Sequence, residues 1–276
     1  MLHFRVCRLF WAMAATGQEG TLARTHEGEP GLPRGRNRLP LRAVRASHRE
    51  RLLRSVIAAV AEAGYPAVTV ADIVRLARVS RVAFYAEFAD KEDCFLTATR
   101  EGGRLMSSRV VSATRALPAD TPDERVLRAA FRAFLTFLAE EPAFARVFYI
   151  EMPAAGPLAL ERLDAANRWF AGLNQRWHER ARARHPEWPA VPGEAYLALV
   201  GATAELVRSM VRAGQTDALP SLEETIVSLH LAVLADRPWT ALRPRVRRAR
   251  PGVAARRRGS APRAASHDCA LRLRHE

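Results

Sequence analysis

Two segments decide the fold: Gly64-Tyr65-Pro66-Ala67-Val68-Thr69-Val70-Ala71-Asp72-Ile73-Val74 and Val79-Ser80-Arg81-Val82-Ala83-Phe84-Tyr85-Ala86-Glu87-Phe88-Ala89-Asp90-Lys91. They read as a helix stop, a short helix, a tight turn, a second short helix and the start of a third. Gly64 stands where a helix end needs a positive φ, which costs glycine least. Pro66 lacks an amide donor and restricts Tyr65, so the preceding helix ends there. Thr69 and Ser80 are N-cap residues, each able to satisfy a free backbone amide at a helix start. Val70, Ile73, Val74 and Ala77 follow the i, i+3, i+4, i+7 spacing of one helix face. Two short helices joined by a few residues form the geometry that lays one of them in the DNA major groove.

Working outward, a first helix is expected from about Ser47 to Ala63, with Leu53, Val56, Ile57 and Val60 on one face and Arg49, Arg51 and Arg54 off it. Arg78-Val79 is the turn, with Val79 facing inward. The first residues of a recognition helix reach base edges. Arg81 is suited to donate two hydrogen bonds to a guanine, and Val82 and Ala83 to meet a thymine methyl. Thr69, Ser80, Tyr85 and Lys91 lie at helix ends, where phosphate contacts set register. Phe84 and Phe88 are core residues. Lys91 is the only lysine in the chain.

The ordered string Thr69, Asp72-Ile73, Val79-Ser80, Phe84-Tyr85, Phe88 and Lys91 resembles the tetracycline-repressor (TetR) family of bacterial transcriptional regulators. The resemblance implies an all-α fold, with a three-helix DNA-binding domain at 41–92 and a larger helical effector-binding and dimerisation domain at 93–236. It also implies that Thr69, Tyr85 and Lys91 contact the DNA backbone. One departure stands out. The family commonly has glycine at the turn, and this chain has Arg78, for which a positive φ costs roughly 1 kcal/mol.

The 276-residue chain is long enough for a small domain plus a larger one. Its net charge of +14 is unevenly spread. Residues 237–276 hold 12 Arg against Asp268 and Glu276, and residues 1–46 hold 8 Arg against 3 Glu, so the part between is close to neutral. Residues 1–40 read as a disordered basic extension, and 237–276 as a disordered Arg-rich tail. The arm at 28–38 is suited to a minor groove or to solvent alike. Val6–Ala15 resembles a signal-peptide core, but Arg8 interrupts it and Ala14-Ala15-Thr16 matches a cleavage site poorly. Cys7, Cys94 and Cys269 have no metal or disulfide spacing, which fits a reducing cytoplasm. No apolar run approaches the roughly 20 residues that span a bilayer.

The larger half reads as helical throughout: Lys91–Leu117; a helix capped by Thr121, with Pro122 at its first position, running to Glu141; a short helix from Pro142; Leu158–Arg184; Glu194–Ala213; and Ser221–Ala235. The resemblance implies that the last two pack against a second copy as a four-helix bundle. Leu199, Ala202, Leu206 and Met210 form one stripe for that interface, and Ile226, Leu229 and Val233, with His230, the other. Met106, Phe134, Phe144, Phe148, Met152, Trp169 and Phe170 are candidates to line an apolar effector pocket, though plain core packing accounts for them equally well. No phosphate-binding glycine loop, metal motif or nucleophile elbow occurs, and the eight His are scattered, with His178 and His185 read as surface residues. The expectation is a non-enzymatic regulator without a cofactor, binding a double-stranded operator as a homodimer and responding to a small apolar effector. A helical enzyme and an Arg-rich nucleic-acid coater are the alternatives.

Overall fold

The computed structural model describes residues 21–26 and 40–237. Every regular element among them is helical: α1 (Leu41–Ala63), α2 (Val70–Ala77), α3 (Arg81–Tyr85), α4 (Lys91–Arg115), α5 (Asp123–Glu140), α6 (Pro142–Arg146), α7 (Pro157–Arg182), α8 (Gly193–Arg212) and α9 (Glu223–Leu234). A π-helical turn, Val147–Glu151, and a 3-10 turn, Met152–Ala155, join α6 to α7, and a second 3-10 turn, Thr216–Leu222, leads into α9.

α1 begins six residues earlier than its apolar spacing suggests. Pro40 supplies the reason: its carbonyl accepts from the Ala43 and Val44 amides at 2.8 and 3.1 Å, so the helix starts where proline has already fixed φ. Its inward face is Leu52, Val56, Ile57 and Val60, all fully buried, while Leu53 is only half-buried. Gly64 ends the helix at φ +82°, as glycine at that position allows.

α5 starts one residue later than expected. Pro122 occupies the cap and Thr121 makes no cap bond, so the predicted Thr121 cap is corrected. Proline's fixed φ and a buried Asp123 set this start instead. Asp123 pairs with Arg184, and its carbonyl accepts from the Trp177 indole at 3.2 Å. α4 and α5 lie side by side, with α7 against α8 and α9 against α5. At Gly102 α4 and α6 approach so closely that an added Cβ would clash with the Phe144 ring.

The core has two parts. The larger runs from α1 through the reading helices into α4–α6 and α8, and includes Phe84, Phe88, Phe95, Phe137 and Phe144. The smaller gathers Trp177, Trp188, Tyr196, Leu199, Leu231 and Leu234. His178 lies buried at its centre, which corrects its reading as a surface residue. A carbonyl can only accept, so His178 Nε2 donates to Leu234 O at 2.7 Å and Nδ1 takes the Tyr196 hydroxyl at 2.9 Å. Burial pushes the His178 pKa down, favouring this neutral form.

Within the stretch read as a disordered extension, residues 21–26 lie against the fold. The Thr21 and Leu22 amides donate to the buried Glu141 carboxylate at 2.7 and 3.0 Å, and the His26 amide donates to Leu76 O at 2.8 Å. The rest of the predicted extension and tail falls outside the described residues.

Candidate nucleic-acid interface and effector cavities

The reading head is built by local capping. Thr69 and Asp72 form a reciprocal capping box: the Asp72 amide donates to Thr69 Oγ1 at 3.3 Å, and the Thr69 amide and hydroxyl donate to Asp72 Oδ2 at 3.0 and 2.6 Å. Those two hydrogen bonds hold the Asp72 carboxyl below its usual pKa. The turn passes through Arg78 at φ 51°, ψ 45°, the left-handed conformation for which glycine is the ordinary choice. Ser80 then caps α3, its hydroxyl accepting from the Ala83 amide at 3.1 Å.

Val79, Phe84 and Phe88 turn inward and are buried. The opposite side of α3 faces solvent with Arg81, Val82 and Tyr85; Val82 is 82 % and Tyr85 52 % exposed. Thr69 and Ser80 are exposed and Ala83 is half-buried. Tyr85 stands edge-on to Phe84 at 5.2 Å. Of the α1 arginines, Arg49 lies over the Phe88 ring and 3.7 Å from Glu87, which also pairs with Arg45 at 2.8 Å.

Lys91 does more than its position implied. Its ammonium donates to Tyr65 O at 2.9 Å and Val68 O at 2.8 Å and lies 4.2 Å from the Tyr65 ring centre. It ties the start of α4 to the α1–α2 turn and keeps one N–H for a further partner. These tertiary contacts have no signal in the sequence.

Two cavities lie in the larger half. The outer one, about 370 Å³, is lined by Met106, Phe148, Met152, Trp169 and Phe170, and carries Arg100, Arg104 and Arg162. The inner one, about 140 Å³, is lined by Phe131, Phe134, Phe148, Tyr149, Phe170 and Trp177, among others. Phe148 and Phe170 serve both. Phe144 lines neither; it is packed against Phe137 and Phe148 in the core. The inner cavity also holds Asn174 and Thr203, which the sequence reading missed. Asn174 lies 3.3 Å from His230 Nε2, and the Thr203 hydroxyl is buried without a hydrogen-bond partner.

On the last two helices, Leu199 and Ile226 are buried within the subunit itself and hold the helices to the rest of the chain. Ala202, Leu206, Met210, Leu229 and Val233 remain partly or fully exposed. The inward face of α8 is Tyr196, Leu199, Thr203, Val207 and Val211.

Residues 53–98 match the tetR family of bacterial regulatory proteins. Among solved structures, the fatty acid degradation regulator FadR from Bacillus halodurans is similar at 18 % identity and a TM-score of 0.60, over 67 % of this chain and 98 % of that one. FadR from Bacillus subtilis, solved in complex with stearoyl-CoA, is similar at 16 % identity and a TM-score of 0.58, over 67 % and 98 %. A TetR-like transcriptional regulator from Rhodococcus sp. RHA1 shares 22 % identity with a TM-score of 0.54, over 72 % and 100 %. No curated protein matches the chain. The match covers residues 53–98, the helix-turn-helix and the start of α4, and the solved structures share the helical fold of the described chain. Among the described residues, no helix is long and apolar enough to cross a membrane.

Proposed function

We propose that the chain is a cytoplasmic, effector-responsive repressor that binds a palindromic operator as a homodimer and catalyses no reaction. The observation that carries this reading is the outward face of α3. Arg81, Val82 and Tyr85 are held out to solvent by a helix that is capped at its start and pinned from behind by Phe84 and Phe88. Base edges are read by such a face, and Thr69, Ser80 and Lys91 flank it at helix ends where phosphates pass.

One such helix covers too few bases to select a site, so two copies are needed, with half-sites about one helical turn apart or a multiple of it. Ala202, Leu206, Met210, Leu229 and Val233 supply the surface for the second copy. The effector is an apolar molecule with an anionic head. The apolar body suits Phe148, Met152 and Phe170, and the head suits Arg100, Arg104 and Arg162 at the outer cavity. The stearoyl-CoA complex of the Bacillus subtilis neighbour is support from a molecule of that class.

Selection from an inverted-repeat DNA library at 0.15 M salt tests the reading. A palindrome should be retained. Arg81→Ala should cost about 1–3 kcal/mol on the best site and relax one position per half-site. Leu206→Glu with Leu229→Glu should sediment as monomers that no longer bind the operator. Retention of no particular sequence refutes the regulator, and a dimeric double mutant refutes the interface.

A further inference from the structure

Between the cavities and the reading head lies one short segment, Val147–Glu151, and its two ends face different ways. Phe148 lines both cavities and Tyr149 the inner one. Glu151, buried, points to the reading head: its Oε2 accepts from the Tyr65 amide at 3.1 Å. Gly64 makes this approach possible, since a Cβ there would lie 3.3 Å from the same oxygen. The other carboxylate oxygen takes Arg146 at 3.2 Å. The Tyr65 carbonyl belongs to Lys91, so Glu151 and Lys91 grip the α1–α2 turn from its amide and carbonyl sides.

The segment is a π-helical turn. The Met152 amide reaches back five residues to Val147 O, which places one more residue in the turn than an α-helix holds. Such turns are strained insertions and often mark functional positions. Migration of the extra residue along the helix past Glu151 would rotate the side chains in between by about 100°, enough to carry Glu151 off the Tyr65 amide. A second register of this turn would be a discrete alternative to the first, which is what a switching element requires.

We propose that the Val147–Glu151 turn is the switch by which cavity occupancy reaches the DNA-reading helices, with Glu151 as its latch on the Tyr65 amide. A molecule in the outer cavity displaces Phe148, the turn changes register, Glu151 lets go, and the α1–α2 turn loosens beneath α2 and α3. Occupancy releases DNA only by favouring the unlatched arrangement. The proposal rests on the effector reading above, but its test does not require the effector.

Gly103 lines the outer cavity, and a Cβ added there meets nothing within 4 Å. Gly103→Leu thus fills the cavity from within. Hydrogen exchange of the Gly64–Tyr65 amides, followed by mass spectrometry on the full unliganded chain, reads the latch directly. Gly103→Leu should accelerate it at least tenfold. Glu151→Ala should do the same alone and add nothing when combined with Gly103→Leu. Glu151→Gln, which keeps an acceptor oxygen, should stay near wild type. Unchanged exchange in Gly103→Leu overturns the latch, as does acceleration that multiplies in the double variant. If Glu151→Ala does not fold, Gly103→Leu alone and with Glu151→Gln decides the matter on the same criteria. Operator affinity, measured in parallel, should fall about tenfold in Gly103→Leu. A chain that selects no operator refutes the regulator and leaves the exchange result to judge the latch. A chain that binds its operator equally well with Gly103→Leu overturns the latch alone.

Discussion

The reading head and the larger half satisfy their polar groups in opposite ways. In the head the partners are close in sequence: Thr69 with Asp72 and Ser80 with Ala83, each three residues apart and open to solvent. In the larger half several buried polar groups reach distant partners, while local pairs such as Glu101 with Arg104 stay at the surface. Glu151 meets Tyr65 across 86 residues, Glu141 meets Thr21 across 120, and His178 meets Leu234 across 56. Local capping fixes the starts of α2 and α3 from within the head, whatever the rest of the chain does. Long-range pairing of buried groups makes a body whose parts depend on each other, which is what transmission from a cavity requires.

Lys91, like the Arg45–Glu87 pair, reaches across the head to distant partners, and removing it should have the largest effect. Its ammonium supplies two long-range hydrogen bonds, to carbonyls 26 and 23 residues away. Lys91→Ala leaves both without that donor and should cost roughly 1.5–3 kcal/mol, the range for a hydrogen bond from a charged group. Lys91→Met, which keeps the stem, should lose nearly as much, because the ammonium and not the packing is missing. Urea unfolding checks this. If both variants unfold at the wild-type midpoint while binding all DNA sequences more weakly, Lys91 serves phosphate alone and the head has no dependence on long-range pairing.

The same contrast separates what was legible in the sequence from what was not. A cap and the amide it satisfies are printed three residues apart, so Thr69, Ser80 and the stop at Gly64 could be read directly. Arg78 was also readable, because the turn's geometry is local. The grip of Lys91, the Glu151 latch and the Glu141 anchor were invisible, since nothing at either end of a long-range bond announces its partner. The cavity wall was legible only as a set of apolar candidates. Phe148, Phe170, Met106, Met152 and Trp169 face the outer space and Phe134 the inner one, while Phe144 went to the core because Gly102 lets its ring approach α4. The stripes of the last two helices were ambiguous in a similar way. A periodic face shows that a helix buries one side, not whether its own subunit or a second one covers it, and Leu199 and Ile226 turned out to be covered from within.

His230 tests the buried side of the comparison. It is enclosed beside Phe131 and Asn174, with Nδ1 donating to Ile226 O at 2.8 Å, and burial lowers its pKa from 6.5 to about 4. The unfolded chain therefore takes up a proton at a pH where the folded chain does not. Stability is fully present above about pH 6.5 and is lost as pH falls toward 4. Between pH 7 and pH 5 the loss from this one group is about 2 kcal/mol. His178, also lowered by burial, acts in the same direction. Urea unfolding at the two pH values, for wild type and His230→Asn, isolates the difference. An equal pH slope in both would mean that His230 is already protonated in the fold.

The smallest effect expected belongs to the head's own backbone. Arg78 holds φ 51° at the turn between α2 and α3, where a side chain bearing a Cβ is strained by about 1–2 kcal/mol. Glycine removes that strain but gives the unfolded chain more freedom, which offsets about half of the gain. Measured against Arg78→Ala, which equally lacks the arginine's own side-chain interaction, Arg78→Gly should therefore be more stable by about 0.5–1 kcal/mol. Arg78→Asn, which tolerates this conformation and keeps a Cβ, should fall between glycine and alanine. Because the strain is local, the Ser80 cap and the exposed face of α3 should be undisturbed, so the selected operator sequence should not change. Weaker binding to every sequence alike would report the lost positive charge rather than a shifted helix. The comparison breaks if Arg78→Gly alters base preference. In that case the strained turn sets the aim of the recognition helix, and the head's geometry is not complete in its caps.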